Sequence, residues 1–196
     1  MRGRRTGAAL AVAAATVMVT GAGTAAAGPP GDHRPTRVVE DAAIGSFSTP
    51  SGDVTVFLSL FDPPGDEEIG GVEIFGTTPS GDSYECFEGP QISADLDGLR
   101  GAWSEGSTTL ACGGPDLPQG VVAEVGVDVR WEPYGRVETS IVTLPDPPCV
   151  SRTRLRAAEI SGLVTVSIPA LGVTASVTEG FGDVRMITSI CRPLPR

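Results

Sequence analysis

The chain predicts an all-β fold: an antiparallel β-sandwich with one core, built from two internal repeats and closed by two disulfides. Three observations carry this expectation. Apolar side chains recur at every second position beyond residue 45, the period of a half-buried strand. Clusters such as Pro79-Ser80-Gly81-Asp82 and Glu179-Gly180-Phe181-Gly182-Asp183 interrupt that alternation and read as turns. The 4 cysteines are an even number, as two bridges require.

The clearest strand places Val125, Val127, Val129 and Trp131 on one face and Glu124, Asp128, Arg130 and Glu132 on the other. These four apolar residues are expected to face the core. Val54, Val56, Leu58 and Leu60 alternate with Thr55, Phe57 and Ser59, and an apolar residue on the second face suits a central strand. Further strands are expected over 72–75, 84–87, 92–96, 108–112, 137–143, 152–160, 163–168, 173–177 and 184–191. No segment beyond residue 45 keeps helical spacing.

Ahead of the strands, Arg2, Arg4 and Arg5 precede an apolar run over 8–19, and Ala25-Ala26-Ala27 supply small residues of the kind a signal peptidase accepts. The run is shorter than the roughly 20 residues a membrane span needs. Residues 1–27 are therefore read as a secretion signal, 28–44 as a flexible N-terminal arm, and 45–196 as the β-domain. Eleven of the 14 basic residues and all 24 acidic residues lie beyond residue 27, which gives that part a formal charge of −13. So acidic a surface disfavours nucleic acid and anionic membrane and favours solubility or at most cation binding; the partner is not specified by the charge, and an extracellular protein is the kind considered. The absence of Lys and Asn, with abundant Gly, Ala, Val and Pro, has the coding bias of a GC-rich bacterial genome.

Two stretches share a layout. Phe61-Asp62-Pro63-Pro64-Gly65 and Trp131-Glu132-Pro133-Tyr134-Gly135 both end an alternating strand with an aromatic, an acid, proline and glycine. Each leads to a cysteine, then to Asp95-Leu96-Asp97-Gly98 or Glu159-Ile160-Ser161-Gly162, then to a second cysteine. Four cysteines allow three pairings. Repeat halves of about 45–113 and 120–196 select Cys86 with Cys112 and Cys149 with Cys191. The segment from Gly113 to Gly120 is then the crossover between the halves.

The inventory of reactive groups is short. His33, the 1 histidine, falls in the expected arm, so a histidine-based triad or zinc site inside the fold is not expected. Paired cysteines leave no thiolate, and no phosphate-binding or dinucleotide glycine motif is present. Glu73, Glu85 and Glu88 are candidate glycosidase acids only by lying near strands. The acidic loop at 62–68 matches no calcium spacing and reads as a solvated turn, and Asp95-x-Asp97-Gly98, which resembles the start of a calcium loop, reads by its alternation as a strand ending in a turn. No catalytic, cofactor-binding or metal-binding residue is assigned, and no cofactor is expected.

One surface feature stands apart. Arg152, Arg154 and Arg156 share one face of an expected strand, a possible anion or partner patch, because like charges so close repel without compensation. Asp128, Glu132 and Glu138 are the expected compensating acids. Three functions follow: a non-catalytic extracellular interaction or structural domain, a protease inhibitor presenting Leu144-Pro145-Asp146-Pro147-Pro148-Cys149, and a small carboxylate glycosidase. The signal, the cysteine spacing and the strand-Trp-Glu-Pro segment together resemble small secreted all-β proteins of actinobacteria without assigned function. That resemblance implies secretion and an all-β fold, and transfers no active site.

Overall fold

A computed structural model describes residues 35–62, 68–87, 89, 91–145 and 148–191. Ten strands follow one another: β1 (Thr36–Ser48), β2 (Val54–Phe61), β3 (Ile69–Thr77), β4 (Ser83–Phe87), β5 (Ile92–Leu96), β6 (Ala102–Gly113), β7 (Val121–Pro133), β8 (Glu138–Pro145), β9 (Pro148–Ile168) and β10 (Val173–Cys191). One short 3-10 turn, Pro169–Leu171, joins the last two, and no α-helix occurs among the described residues. The fold is all-β and antiparallel, as the alternation required.

The ten strands form one sheet rather than two separate ones. Pairing runs β10-β1-β2-β3-β4-β6-β7-β9-β8, and β9 also pairs with β10, so the sheet returns on itself. The short strands β4 and β5 lie in tandem between β3 and β6. The shared core is therefore the inside of a closed, barrel-like sheet, which leaves no edge along most of its circumference. A single cluster fills it, including Leu58, Leu60, Ile74, Leu110, Val129, Ile160 and Val164. Val125, Val127, Val129 and Trp131 face inward as expected, none more than 4% exposed. Trp131 spans the interior. Its indole Nε1 donates to the carbonyl of Ile44 at 3.1 Å, and Gly45 leaves the space its ring fills.

Both disulfides are the expected ones. Cys86–Cys112 joins β4 to β6 and Cys149–Cys191 joins β9 to β10. In each the two cysteines sit directly opposite one another in the ladder, with Cα atoms 4.0 Å apart. In the chain-entropy account such loops stabilise by about 3.5 and about 4 kcal/mol.

Several boundaries differ from the sequence reading. The expected arm over 28–44 is strand from Thr36 onward: β1 pairs with β10 on one side and with β2 on the other. Its inward residues are Ala43, Gly45 and Phe47, too small on average to announce a core strand. Residues 28–34 and the signal lie outside the described residues. The two strands expected over 152–160 and 163–168 are one, β9, and those over 173–177 and 184–191 are one, β10. Gly180 and Gly182, read as turn residues, instead let β10 press against β1. A Cβ on Gly180 would sit 2.9 Å from the Phe47 ring, and one on Gly182 would strike the Ile44 carbonyl. A register shift between Val177 and Glu179 moves the inward side of β10 from odd to even residues, from Val177 to Val184. The segment from Gly113 to Gly120 is a hairpin loop between the neighbours β6 and β7, not a crossover. Asp97-Gly98 makes the β5–β6 turn, whereas Ser161-Gly162 lies within β9, so these two stretches hold different structural positions.

Gly162 is where β9 depends on glycine. Its φ of +132° is unfavourable for an L side chain, and an added Cβ would collide with the Asp128 carbonyl in β7. Gly135 has a φ of +73° with nothing within 4 Å of an added Cβ. Gly162→Ala is expected to destabilise the fold by about 2 kcal/mol or more. Gly135→Ala should cost only about 1 kcal/mol. Chemical denaturation of the two variants checks this; equal midpoints would show that the β7–β9 approach imposes no constraint.

Candidate functional site

Four strands outrun the barrel. β2 pairs with β1 only from Ala42, and the Asp62 amide caps it on the Asp41 carbonyl at 3.0 Å, so among the described residues β1 from Thr36 to Glu40 pairs with β10 alone. On the far side, β7 pairs with β9 between residues 158 and 167, and β8 takes over from Leu155 to Pro148. The outcome is a four-stranded extension in the order β1-β10-β9-β8, standing beyond the rim.

The arginine stripe lies on this extension. Arg152, Arg154 and Arg156 have the same parity as the buried Ala158 and Ile160 of β9, so they continue the core-facing side of the strand past the rim. The side chains there meet solvent: Val39 is 43% exposed, Ile190 45%, Val150 47% and Ile141 67%. Register places Arg152 between Ile141 of β8 and Thr188 of β10, and Arg154 between Thr139 and Met186. Arg37 on β1 lies opposite Ile190, which in turn lies opposite Val150. Four arginines and four exposed aliphatic residues thus share one face.

Compensation by neighbouring acids, the expected arrangement, is not found. Arg152 and Arg154 are exposed, and Arg156 is half-buried with its Nε donating to the Gly135 carbonyl at 3.4 Å. Among the described residues, none of the three has a carboxylate within salt-bridge reach. Asp128, Glu132 and Glu138 stand opposite Leu163, Glu159 and Leu155, odd-numbered residues on the reverse face. The strand period that aligns the arginines also separates them from those acids.

Carboxylates gather instead at the rim below. Asp41 is half-buried, with a buried Oδ1 that meets no donor among the described residues. Burial pushes its pKa above the ordinary value, and the nearby Asp62 and Asp97 push the same way. Burial also raises Glu68, against the hydrogen bond its Oε2 accepts from the Leu96 amide at 2.9 Å. Arg185, packed on Asp183, is occupied by that ion pair. Among the described residues no group of three or more His, Cys, Asp or Glu is placed to hold a metal.

The other sequence candidates do not converge. Glu73 and Glu85 lie exposed on the outer face of β3 and β4, and Glu88 is outside the described residues. Leu144, Pro145, Pro148 and Cys149 are strand residues at the β8–β9 hairpin, while 146–147 lie outside the described residues. Asp95 lies in β5, one residue before its end, and Asp97 opens the turn that follows, with Arg100 3.8 Å from Asp97. The outer wall of β2–β4 carries a surface the sequence reading missed. Phe57, Phe75 and Phe87 are 38%, 41% and 42% exposed, and the first two rings meet edge to face at 5.7 Å. The signal was Phe57 on the second face of β2. β2 is central to the sheet, as that residue suggested, but the face that carries Phe57 is in water.

No family model, no curated protein and no solved structure matches the chain. The two disulfides suit a protein folded in an oxidising compartment. Among the described residues no helix is long and apolar enough to cross a membrane.

The state of Asp41 gives a prediction. A carboxyl whose folded pKa lies above its unfolded value binds its proton more tightly when folded. Stability is then fully present below the unfolded value of about 3.8 and falls as pH rises through the folded value. Asp41→Asn should therefore raise the melting temperature at pH 7, and the gain should vanish near pH 3. A gain that is the same at both pH values would assign the effect to packing instead.

Proposed function

We propose that this chain is a secreted, non-catalytic extracellular interaction domain that recognises an acidic protein surface through the four-stranded extension. One observation carries the reading: an arginine row without a carboxylate partner among the described residues, on an open sheet face of an otherwise acidic chain. Uncompensated like charges raise the energy of the free protein, and an anionic partner removes that cost while gaining charge-assisted hydrogen bonds. Val39, Ile141, Val150 and Ile190 around the arginines favour a protein over a polysaccharide, because interface centres combine aliphatic burial with arginine anchors. The acidic rim repels the same partner and confines it to the extension. The signal-like N-terminus and the two bridges support the extracellular setting.

Binding of poly-glutamate by the purified secreted chain tests this. The wild type is expected to bind with an affinity that falls steeply with salt. Replacing Arg152, Arg154 and Arg156 together with alanine should weaken binding at least tenfold. Because none of them is ion-paired and only Arg156 holds a hydrogen bond, to the Gly135 carbonyl, the unfolding free energy should fall by no more than about 1 kcal/mol. Undiminished binding by the triple variant would overturn the reading.

A further inference from the structure

Resting on that reading, we propose that the acidic partner binds as an extended strand added along the free edge of β8, its alternate carboxylates reaching Arg152 and Arg154. The edge itself is the first ground. Among the described residues β8 pairs with β9 and with no other strand, and all eight of its residues are exposed. Proteins usually blunt such an edge with lysine, interior proline, a bulge or an inward charge. β8 has none of these between Thr139 and Leu144, and offers Ile141 and Val142 at 67% and 53% exposure. The opposite edge of the extension, residues 36–40 of β1, carries Arg37 and Glu40 and is protected by charge.

The ladder then decides which backbone groups are free. Cys149 and Cys191 are directly opposite with Cα atoms 4.0 Å apart, the close spacing of a pair that exchanges no backbone hydrogen bonds. Cys149 therefore turns its amide and carbonyl toward β8, where Leu144 is opposite. Alternation along β8 leaves the amides and carbonyls of Thr139, Ile141 and Thr143 pointing to the open edge. These are the residues whose side chains share a face with the arginines. A segment hydrogen-bonded to them places every second side chain on the arginine face, at the spacing of that row. Neighbouring strands lie about 4.8 Å apart, so the added strand stands about 10 Å from β9. Arginine and glutamate side chains together cover that distance, over Thr139 to Arg154 and past Ile141 to Arg152. Strand addition supplies affinity through the backbone, and the alternation of acids supplies selectivity.

An eight-residue peptide alternating Glu with Val, titrated into the secreted chain by fluorescence anisotropy, tests this. Three changes should each weaken binding at least tenfold: N-methylation of the peptide amides that face β8, Ile141→Pro, and Arg152→Gln with Arg154→Gln. Proline at 141 removes an edge donor and no β8–β9 hydrogen bond. Should that variant lose its fold, the methylated peptide on the wild type carries the same information. Equal binding of the methylated and plain peptides would overturn strand addition while leaving the arginine face as an anion site. Binding of poly-glutamate but not of the alternating peptide would do the same. Failure to bind either probe would remove the functional reading itself. A wild type that sediments as a dimer and becomes monomeric as Ile141→Pro would assign the edge to a second copy of the chain and overturn the acidic partner.

Discussion

Everything in this structure depends on β10 being paired along both of its sides. It runs beside β9 from Val173 to Cys191 and beside β1 from Gly180 to Cys191. Without the β1 contact the sheet would be open, with two long edges and a half-covered core. With it, the backbone circuit closes and the apolar sides of β1, β2, β6, β7 and β9 meet in one interior. The closure is local in its chemistry. It needs glycine at 180 and 182 so that two backbones approach, and a register shift near Val177 so that the strand re-aims its side chains. The same shift brings Met186, Thr188 and Ile190 onto the face that carries the arginines.

How much of this was legible in the sequence varies with the strength of the local pattern. β7 was readable residue by residue because Val125, Val127, Val129 and Trp131 alternate with acids and an arginine over its whole length. The disulfide pairing was legible too, although the stretches used to align the halves play different parts in the fold. β1 was hidden because its inward positions are Ala43, Gly45 and Phe47, and a short side chain leaves little alternation to detect. Gly162, Gly180 and Gly182 misled for a related reason. Glycine marks either a turn or a close approach between backbones, and only the neighbouring strand distinguishes them. Closure of the sheet is a property of long-range pairing, which no local period encodes.

The arginine row shows the same limit at the candidate site. Its residues share a face by strand period alone, so the alignment was visible in the sequence. The surroundings were not. The expected partners Asp128, Glu132 and Glu138 are neighbours in the sheet, yet they have the wrong parity and lie across its thickness. The extension then lifts the row beyond the rim, where the side of the sheet that is core elsewhere becomes open surface. One strand, β9, thereby changes from a wall of the core at Ile160 to an exposed basic row at Arg152 within four repeats of the pleat.

The extension also fixes where mechanical load would enter. The first and last described strands finish side by side, with Thr36 opposite Cys191. Tension drawn between those two ends acts along the hydrogen bonds of the β1–β10 ladder rather than across them. The bonds then part singly from the tip, the least resistant geometry a sheet can offer. The covalent link from Cys191 to Cys149 anchors β10 to β9, so the tear is confined to β1. Under pulling, the chain would shed β1 from residue 36 inward and open the barrel seam, while the β8–β9–β10 hairpins stay assembled.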